Sequence, residues 1–221
     1  MAGRYDAVLL DAFGTLVALD RPAKRLRDSL HARLGIAVDH KRARSAIAAE
    51  VAHYAAGCRF ASDAPLLDAL RRECAGVLAR ELAVDAGIER MLEVLADAIV
   101  LRPFADVPPA LRLLDERGLA LAVVSNGDCS LGTSLAKAGL HFDVVVDCAT
   151  AGSVKPDPAI FRHALDRLGV AAGRALHVGD DPANDLGGAR AAGIDAVLID
   201  RSGDGPPGSI AALTELGALV A

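Results

Sequence analysis

From residue 119 onward the chain alternates short apolar runs with amphipathic stretches, and no other feature constrains its fold as tightly. LALAVV at 119–124 is followed by a helical pattern at 130–138, and VVVDC by another at 158–168. ALHV at 175–178 precedes a third at 185–192, and AVLID closes the series. Short runs rich in Val, Leu and Ile, bounded by turn formers, predict strands buried on both faces. Strands joined through helices imply right-handed βαβ crossovers and a parallel sheet. One more such run, Val8, Leu9 and Leu10, stands near the N-terminus. The predicted fold class is α/β, with a doubly wound parallel (Rossmann-like) sheet as its core.

Between the first run and the alternating series, residues 22–100 carry helical periodicity and no convincing strand. PAKRLRDSLHARLG starts with Pro22 and stops near Gly35, and DHKRARSAIAAEVAHYAAG follows with Asp39 as candidate N-cap. DAPLLDALRRECAGVLARELA and GIERMLEVLADAIVL complete four amphipathic segments. Arg102-Pro103-Phe104 and Val107-Pro108-Pro109 punctuate the return to the α/β pattern. A loop rich in Gly and Pro at 203–208 precedes a short C-terminal helix. The predicted organisation is an α/β core from 1–16 and 102–221, with an inserted helical domain at 17–101.

At 221 residues, with 52% hydrophobic content and a mean hydropathy of +0.33, the chain has material for one core and a smaller insert. A net charge of −5 and the lack of any basic block give nucleic acid and anionic membranes no electrostatic foothold. No apolar run approaches the ~18 residues of a membrane span, and nothing before Asp6 and Asp11 resembles a signal peptide. Cys58, Cys74, Cys129 and Cys148 form no CxxC pair and no metal-ligand spacing. They read as reduced packing residues of a cytoplasmic protein, with Cys129, near a strand end, the candidate for reactivity.

Ligands of open α/β sheets bind beyond the carboxyl ends of the strands, and there the chain places its polar residues. Asp11 follows the first run, with Ala12, Phe13 and Gly14 behind it; Ser125 and Asn126 follow the second. Asp180, Asp181 and Asp185 follow the ALHV run, and Lys155 stands in a loop stopped by Pro156 and Pro158. Taken singly, Asp11 could bend its loop, and Ser125-Asn126-Gly127 could be a helix-start turn capped by Asp128 or Ser130. In chain order, DAFGTL, SNG, VKP and GDDPAND together resemble the haloacid dehalogenase superfamily of aspartate-nucleophile hydrolases, over nearly the whole chain.

The resemblance implies that the helical insert is a mobile cap that closes over the strand ends and excludes water. It implies that Asp11 is the nucleophile, ionised at neutral pH without a separate base. Ser125 would hydrogen-bond the transferring group, Asn126 would orient it, and Lys155 would lower the Asp11 pKa and neutralise developing charge. It further implies Mg²⁺, held by Asp11, the backbone carbonyl of Phe13, Asp180 and Asp185, with Asp181 or Asp185 acting through waters or a bond to Lys155. A helix dipole accounts for one acidic residue there; three beside Asp11 would repel one another without a cation.

Phe13 departs from the phosphatases of the superfamily, which carry an Asp at that position as general acid. An aromatic there resembles the 2-haloacid dehalogenases, yet those lack the acidic metal cluster. The implied activity is Mg²⁺-dependent hydrolysis of a small phosphorylated metabolite through an aspartyl phosphate. A 2-haloacid dehalogenase using an aspartyl ester, or a catalytically weak binding or regulatory relative, are the alternatives. Dehalogenation would need a cation for the substrate carboxylate, for which Arg42, Arg44 and Arg59 are candidates; His53 and Tyr54 are further insert residues that could reach the pocket. Substrate identity and oligomeric state have no motif.

Overall fold

Val8, Leu9 and Leu10, preceded by Ala7, form β1 (Ala7–Leu10), and none of the four is exposed at all. The computed structural model describes residues 3–220. After β1 come β2 (Val17–Leu19), α1 (Pro22–Leu34), α2 (His40–Gly57), α3 (Ala64–Glu81), α4 (Ile88–Ala98) and β3 (Leu101–Pro103). There follow α5 (Val107–Glu116), β4 (Ala120–Ser125), α6 (Leu131–Lys137), β5 (Val144–Asp147), α7 (Cys148–Ala151) and α8 (Pro158–Leu168). The chain ends with β6 (Ala175–Gly179), a π-helical turn (Pro182–Gly187), α9 (Gly188–Ala191), β7 (Asp195–Leu198) and α10 (Leu216–Leu219). Two units can be told apart, one of Met1–Ala18 and Pro103–Ala221, the other of Leu19–Arg102.

In the first unit, five parallel strands lie in the order β5-β4-β1-β6-β7. This is the α/β fold with a parallel, Rossmann-like sheet that the alternating pattern predicts. β1 is central, and Leu10 faces Val123 on β4 and Val178 on β6. Because the strands are parallel and in this register, Asp11, Ser125 and Asp180 all leave the sheet at one edge.

The second unit holds the four predicted helices, with α2 against α3 and α1 against α4. Asp39 caps α2 by accepting the Arg42 N–H at 2.8 Å, and Asp63 caps α3 by accepting the Leu66 N–H at 2.9 Å. An isolated helix as short as α4 is marginal in water. Its stability comes from Met91, Val94, Leu95 and Ala98, a buried stripe at helical spacing. Ala43 and Ala46, fully buried on α2, leave room for close helix contact.

Four features differ from the predicted pattern. β2 and β3 pair as a two-stranded ribbon where the chain leaves and re-enters the α/β unit, too short for periodicity to register. The units divide at 18/19 and 102/103, against the predicted 16/17 and 101/102, and the ribbon spans that divide. Val107-Pro108-Pro109, read as punctuation, is the first turn of α5, where proline costs no intrahelical hydrogen bond. The predicted helix 185–192 starts earlier, as the π turn, because Asp181 accepts the N–H groups of Ala183 and Asn184 at 2.8 Å and so starts the turn itself.

Among the described residues no cysteine forms a disulfide; Cys58, Cys74 and Cys148 are buried and Cys129 is half-buried. Among the described residues, no helix is long and apolar enough to cross a membrane.

Candidate active site

Asp11 extends the sheet register by one residue, donating its N–H to the Val178 carbonyl at 2.9 Å, and its side chain is 7% exposed. The loop behind it is closed by Gly14 N–H on Val17 C=O at 2.9 Å, and by Leu16 and Val17 N–H on Ala12 C=O at 2.8 and 2.9 Å. Gly14 adopts φ +80°, and a Cβ there would lie 2.1 Å from Asp180 Oδ2. Glycine is the residue that permits both the turn and the approach of that carboxylate. Phe13 is half-buried beside it and bridges to Val17.

Lys155 reaches Asp11 from the loop before α8. Its Nζ donates to Asp11 Oδ1 and to Asp185 Oδ1, both at 2.6 Å, and all three side chains are buried. Asn126 holds the lysine's backbone: its Oδ1 accepts the Lys155 N–H at 2.8 Å and its Nδ2 donates to the Lys155 carbonyl at 3.2 Å. Asn126 thus ties the two loops together, a structural task beside the orienting role the resemblance implies. Ser125 ends β4, is 2% exposed and lies close enough to Asp11 to favour its ionised form. Asp128 forms a turn of its own, accepting from Ser130 N–H at 2.7 Å and Ser130 Oγ at 2.6 Å.

Asp185 is saturated. Besides Lys155, its Oδ1 accepts from His177 Nε2 at 3.0 Å, and its Oδ2 accepts the Asp181 N–H at 3.0 Å. A Cβ on Gly179 would sit 2.1 Å from Asp185 Cγ, so glycine is what lets this carboxylate tuck under the strand end. His177 was not among the residues singled out from the sequence, since it sits inside an apolar strand and no motif marks it. It is fully buried, packs edge-on against Phe161 with ring centroids 5.0 Å apart, and its Nδ1 has no partner. Burial lowers its pKa against the pull of Asp185, so the imidazole is neutral with its proton on Nε2.

Asp180 is exposed at the end of β6, and Asp11, Asp180 and Asp185 each present an oxygen within 4.8 Å of the others. Partial desolvation of the carboxyl at the strand end, then the charges of Asp11 and Asp185, push Asp180 up to about 6. Burial also raises Asp11, with Asp185 adding to it, against Lys155 and Ser125. Lys155 is raised because the two carboxylates outweigh its own desolvation, so it stays charged. Asp185 goes the other way: against its burial, the His177 and Lys155 hydrogen bonds and charge hold it well below the usual carboxylate range. Three carboxylates facing one ammonium leave two negative charges, and hard oxygen donors with that surplus fit a divalent cation such as Mg²⁺.

Most of the remaining candidates are engaged elsewhere. Asp181 accepts from Ala183 and Asn184 and is a turn cap. Within the helical unit, His53 contacts Glu73 at 3.0 Å, Arg42 reaches the Glu81 carbonyl at 3.5 Å, and the Arg59 guanidinium lies 4.5 Å from the Phe60 ring centre. Arg44 is exposed and Tyr54 half-buried on α2.

A phosphoserine phosphatase of Thermus thermophilus is 49% identical over 88 residues, 38% of this chain and 35% of that protein. A phosphatase of Mycobacterium tuberculosis is 35% identical over 147 residues, 65% of this chain and 67% of that protein. The match thus spans about a third of the first relative's length and two thirds of the second's. Among solved structures, a defluorinating L-2-haloacid dehalogenase superposes with a TM-score of 0.77 at 26% identity, covering 98% of this chain and 95% of that one. The family profile of haloacid dehalogenase-like hydrolases matches residues 5–193. The chain belongs to the haloacid dehalogenase-like hydrolases.

Proposed function

We propose that the protein is a Mg²⁺-dependent phosphatase acting on a small phosphorylated metabolite through an aspartyl phosphate on Asp11. The observation that carries this reading is the buried Asp11–Lys155–Asp185 arrangement with Asp180 beside it, whose surplus of two negative charges calls for a divalent cation. The relatives named as phosphatases support it.

In this reading an Asp11 oxygen attacks phosphorus, the bond to the leaving oxygen breaks, and water then cleaves the acyl phosphate, which restores the carboxylate and frees phosphate. Lys155 holds the carboxylate in line and neutralises charge on the transferring group. Ser125 donates to the same centre, and Asp185 with His177 fixes the lysine. Asp11, Asp180 and the Phe13 carbonyl would hold Mg²⁺; Asp185, its oxygens already engaged, acts through Lys155 or through water. When bound, the metal supplies a Lewis-acid contact to the phosphoryl oxygens.

Chelation is therefore expected to silence phosphatase activity, and Asp180→Ala to cut it at least about a hundredfold. A carboxyl that titrates near 6 must lose its proton to bind metal. The metal concentration for half-maximal activity should accordingly rise as pH falls through that value. Activity indifferent to both chelator and Asp180→Ala would overturn the metal reading.

Phe13 narrows the substrate. With no carboxyl at this position to protonate the leaving oxygen, acyl and aryl phosphates, which leave as stabilised anions, are expected to turn over faster than sugar phosphates. Phe13→Asp should raise alkyl phosphate turnover by about 10²-fold, the low end of general acid catalysis, in protein shown by thermal melt to be folded. A folded variant with no gain across a broad panel would count against the phosphatase reading.

Dehalogenation through an aspartyl ester is the second reading, favoured by Phe13 itself and by the likeness to the defluorinating dehalogenase. Chelator-insensitive halide release from a 2-haloacid would establish it.

A further inference from the structure

Arg201 follows β7, far in sequence from every site residue, yet its guanidinium closes on the loop behind Asp11. Nε donates to the Gly14 carbonyl at 3.0 Å, and Nη2 donates to the Thr15 carbonyl. Nη1 pairs with Asp106 at 2.9 Å, and the plane lies over the Phe104 ring at 3.7 Å. Asp106 is fixed in turn, since its Oδ2 accepts the Leu213 N–H at 2.6 Å. Both charged side chains are largely shielded, Arg201 at 18% and Asp106 at 16% exposure.

These contacts point to a task. Thr15 is fully buried, and its carbonyl needs a donor that the loop does not supply. Gly14 lies directly under the Asp180 carboxylate, so rotating the Gly14–Thr15 peptide would move the surface on which that carboxylate rests. The same loop carries Asp11 at its start and Phe13 in its middle. A planar fork held by an ion pair and an aromatic face sets the direction of two carbonyls at once, which a lysine cannot do.

We propose that Arg201 is a positioning residue, clamping the loop behind Asp11 so that Asp11, the Phe13 carbonyl and Asp180 converge. The clamp itself rests on geometry; its expected effect on metal rests on the phosphatase reading above.

The test compares wild type with Arg201→Met, Arg201→Lys and Asp106→Asn, using amide exchange without metal and Mn²⁺ binding followed by electron paramagnetic resonance. In Arg201→Met the amides of Gly14, Leu16 and Val17 should exchange at least about tenfold faster, while those of Leu9 and Val123 keep wild-type rates. The Mn²⁺ dissociation constant should rise about tenfold, the scale of a lost supporting contact at a metal site. Arg201→Lys should recover part of each effect, and Asp106→Asn, which keeps the guanidinium and weakens its anchor, should reproduce both in milder form. Asp106→Asn also serves if Arg201→Met does not fold. Loop amides exchanging as in wild type would overturn the clamp. So would uniformly faster exchange with unchanged Mn²⁺ affinity, the mark of a merely structural arginine. Wild type that binds no Mn²⁺ would overturn the metal reading, leaving the loop amides to decide the clamp.

Discussion

Asp11→Asn is expected to lose hydrolytic turnover by a factor on the order of 10⁴ or more while melting at or above the wild-type temperature. The amide keeps the shape of the carboxylate but cannot form the covalent intermediate proposed for Asp11. Its effect on the fold runs the other way. Asp11 is a buried carboxylate, raised by its burial and by Asp185, so the ionised form is held at a cost in the absence of metal. Asparagine removes the charge, and Lys155 keeps Asp185 as its partner. A loss of activity with no loss of stability is the signature of a residue retained for chemistry. Turnover surviving in this variant, assayed against a clean background, would sink the nucleophile assignment.

Lys155→Met is expected to fail in both respects. One ammonium bridges Asp11 and Asp185, both buried, and removing it leaves two carboxylates facing each other. Breaking a buried pair from one side costs about 3–5 kcal/mol, a large share of a domain's stability. Turnover should fall with it, since no other cation among the described residues contacts Asp11. The deficit should shrink as pH is lowered. In the variant the Asp11 carboxyl, raised already by burial and by Asp185, loses the cation that opposed this. Its folded-state pKa then lies above the unfolded one, so the folded state binds more protons and stability rises as pH falls. Denaturant melts of the variant at pH 7 and pH 5 read this directly; a deficit that grew on acidification would contradict the arrangement.

How much of this was legible in the sequence depends on how local each signal was. Asp11, Ser125 and Asp180 could be found because each follows an apolar run, and a parallel sheet gathers such residues at one edge. Lys155 was findable only through its order among the other motifs, since a lysine in a loop has no local mark. Asp185 was readable as an acid, whereas its saturation by Lys155, His177 and the Asp181 amide depends on three separate segments meeting. His177 was hidden inside an apolar strand, and Arg201 among loop residues whose partners lie at positions 14, 15 and 106. The helices of the insert were legible because amphipathic periodicity is local; β2 and β3, three residues each, offer no period to read.

The place of β1 in the sheet bears on how the protein is made. Ala7 pairs with Ala120 on one side and with Ala175 on the other, so the central strand precedes both of its partners in the chain and waits for β6 to be made. While the ribosome works through the helical segment, whose contacts are near in sequence and quick to form, a wholly apolar strand has no partner. Its edges are then open to other nascent chains, the condition under which aggregation competes with folding. Asp6 and Asp11 bracket the run, and charges that flank an apolar strand oppose such association. The carboxylate proposed to carry the chemistry thus also flanks the strand that presents it.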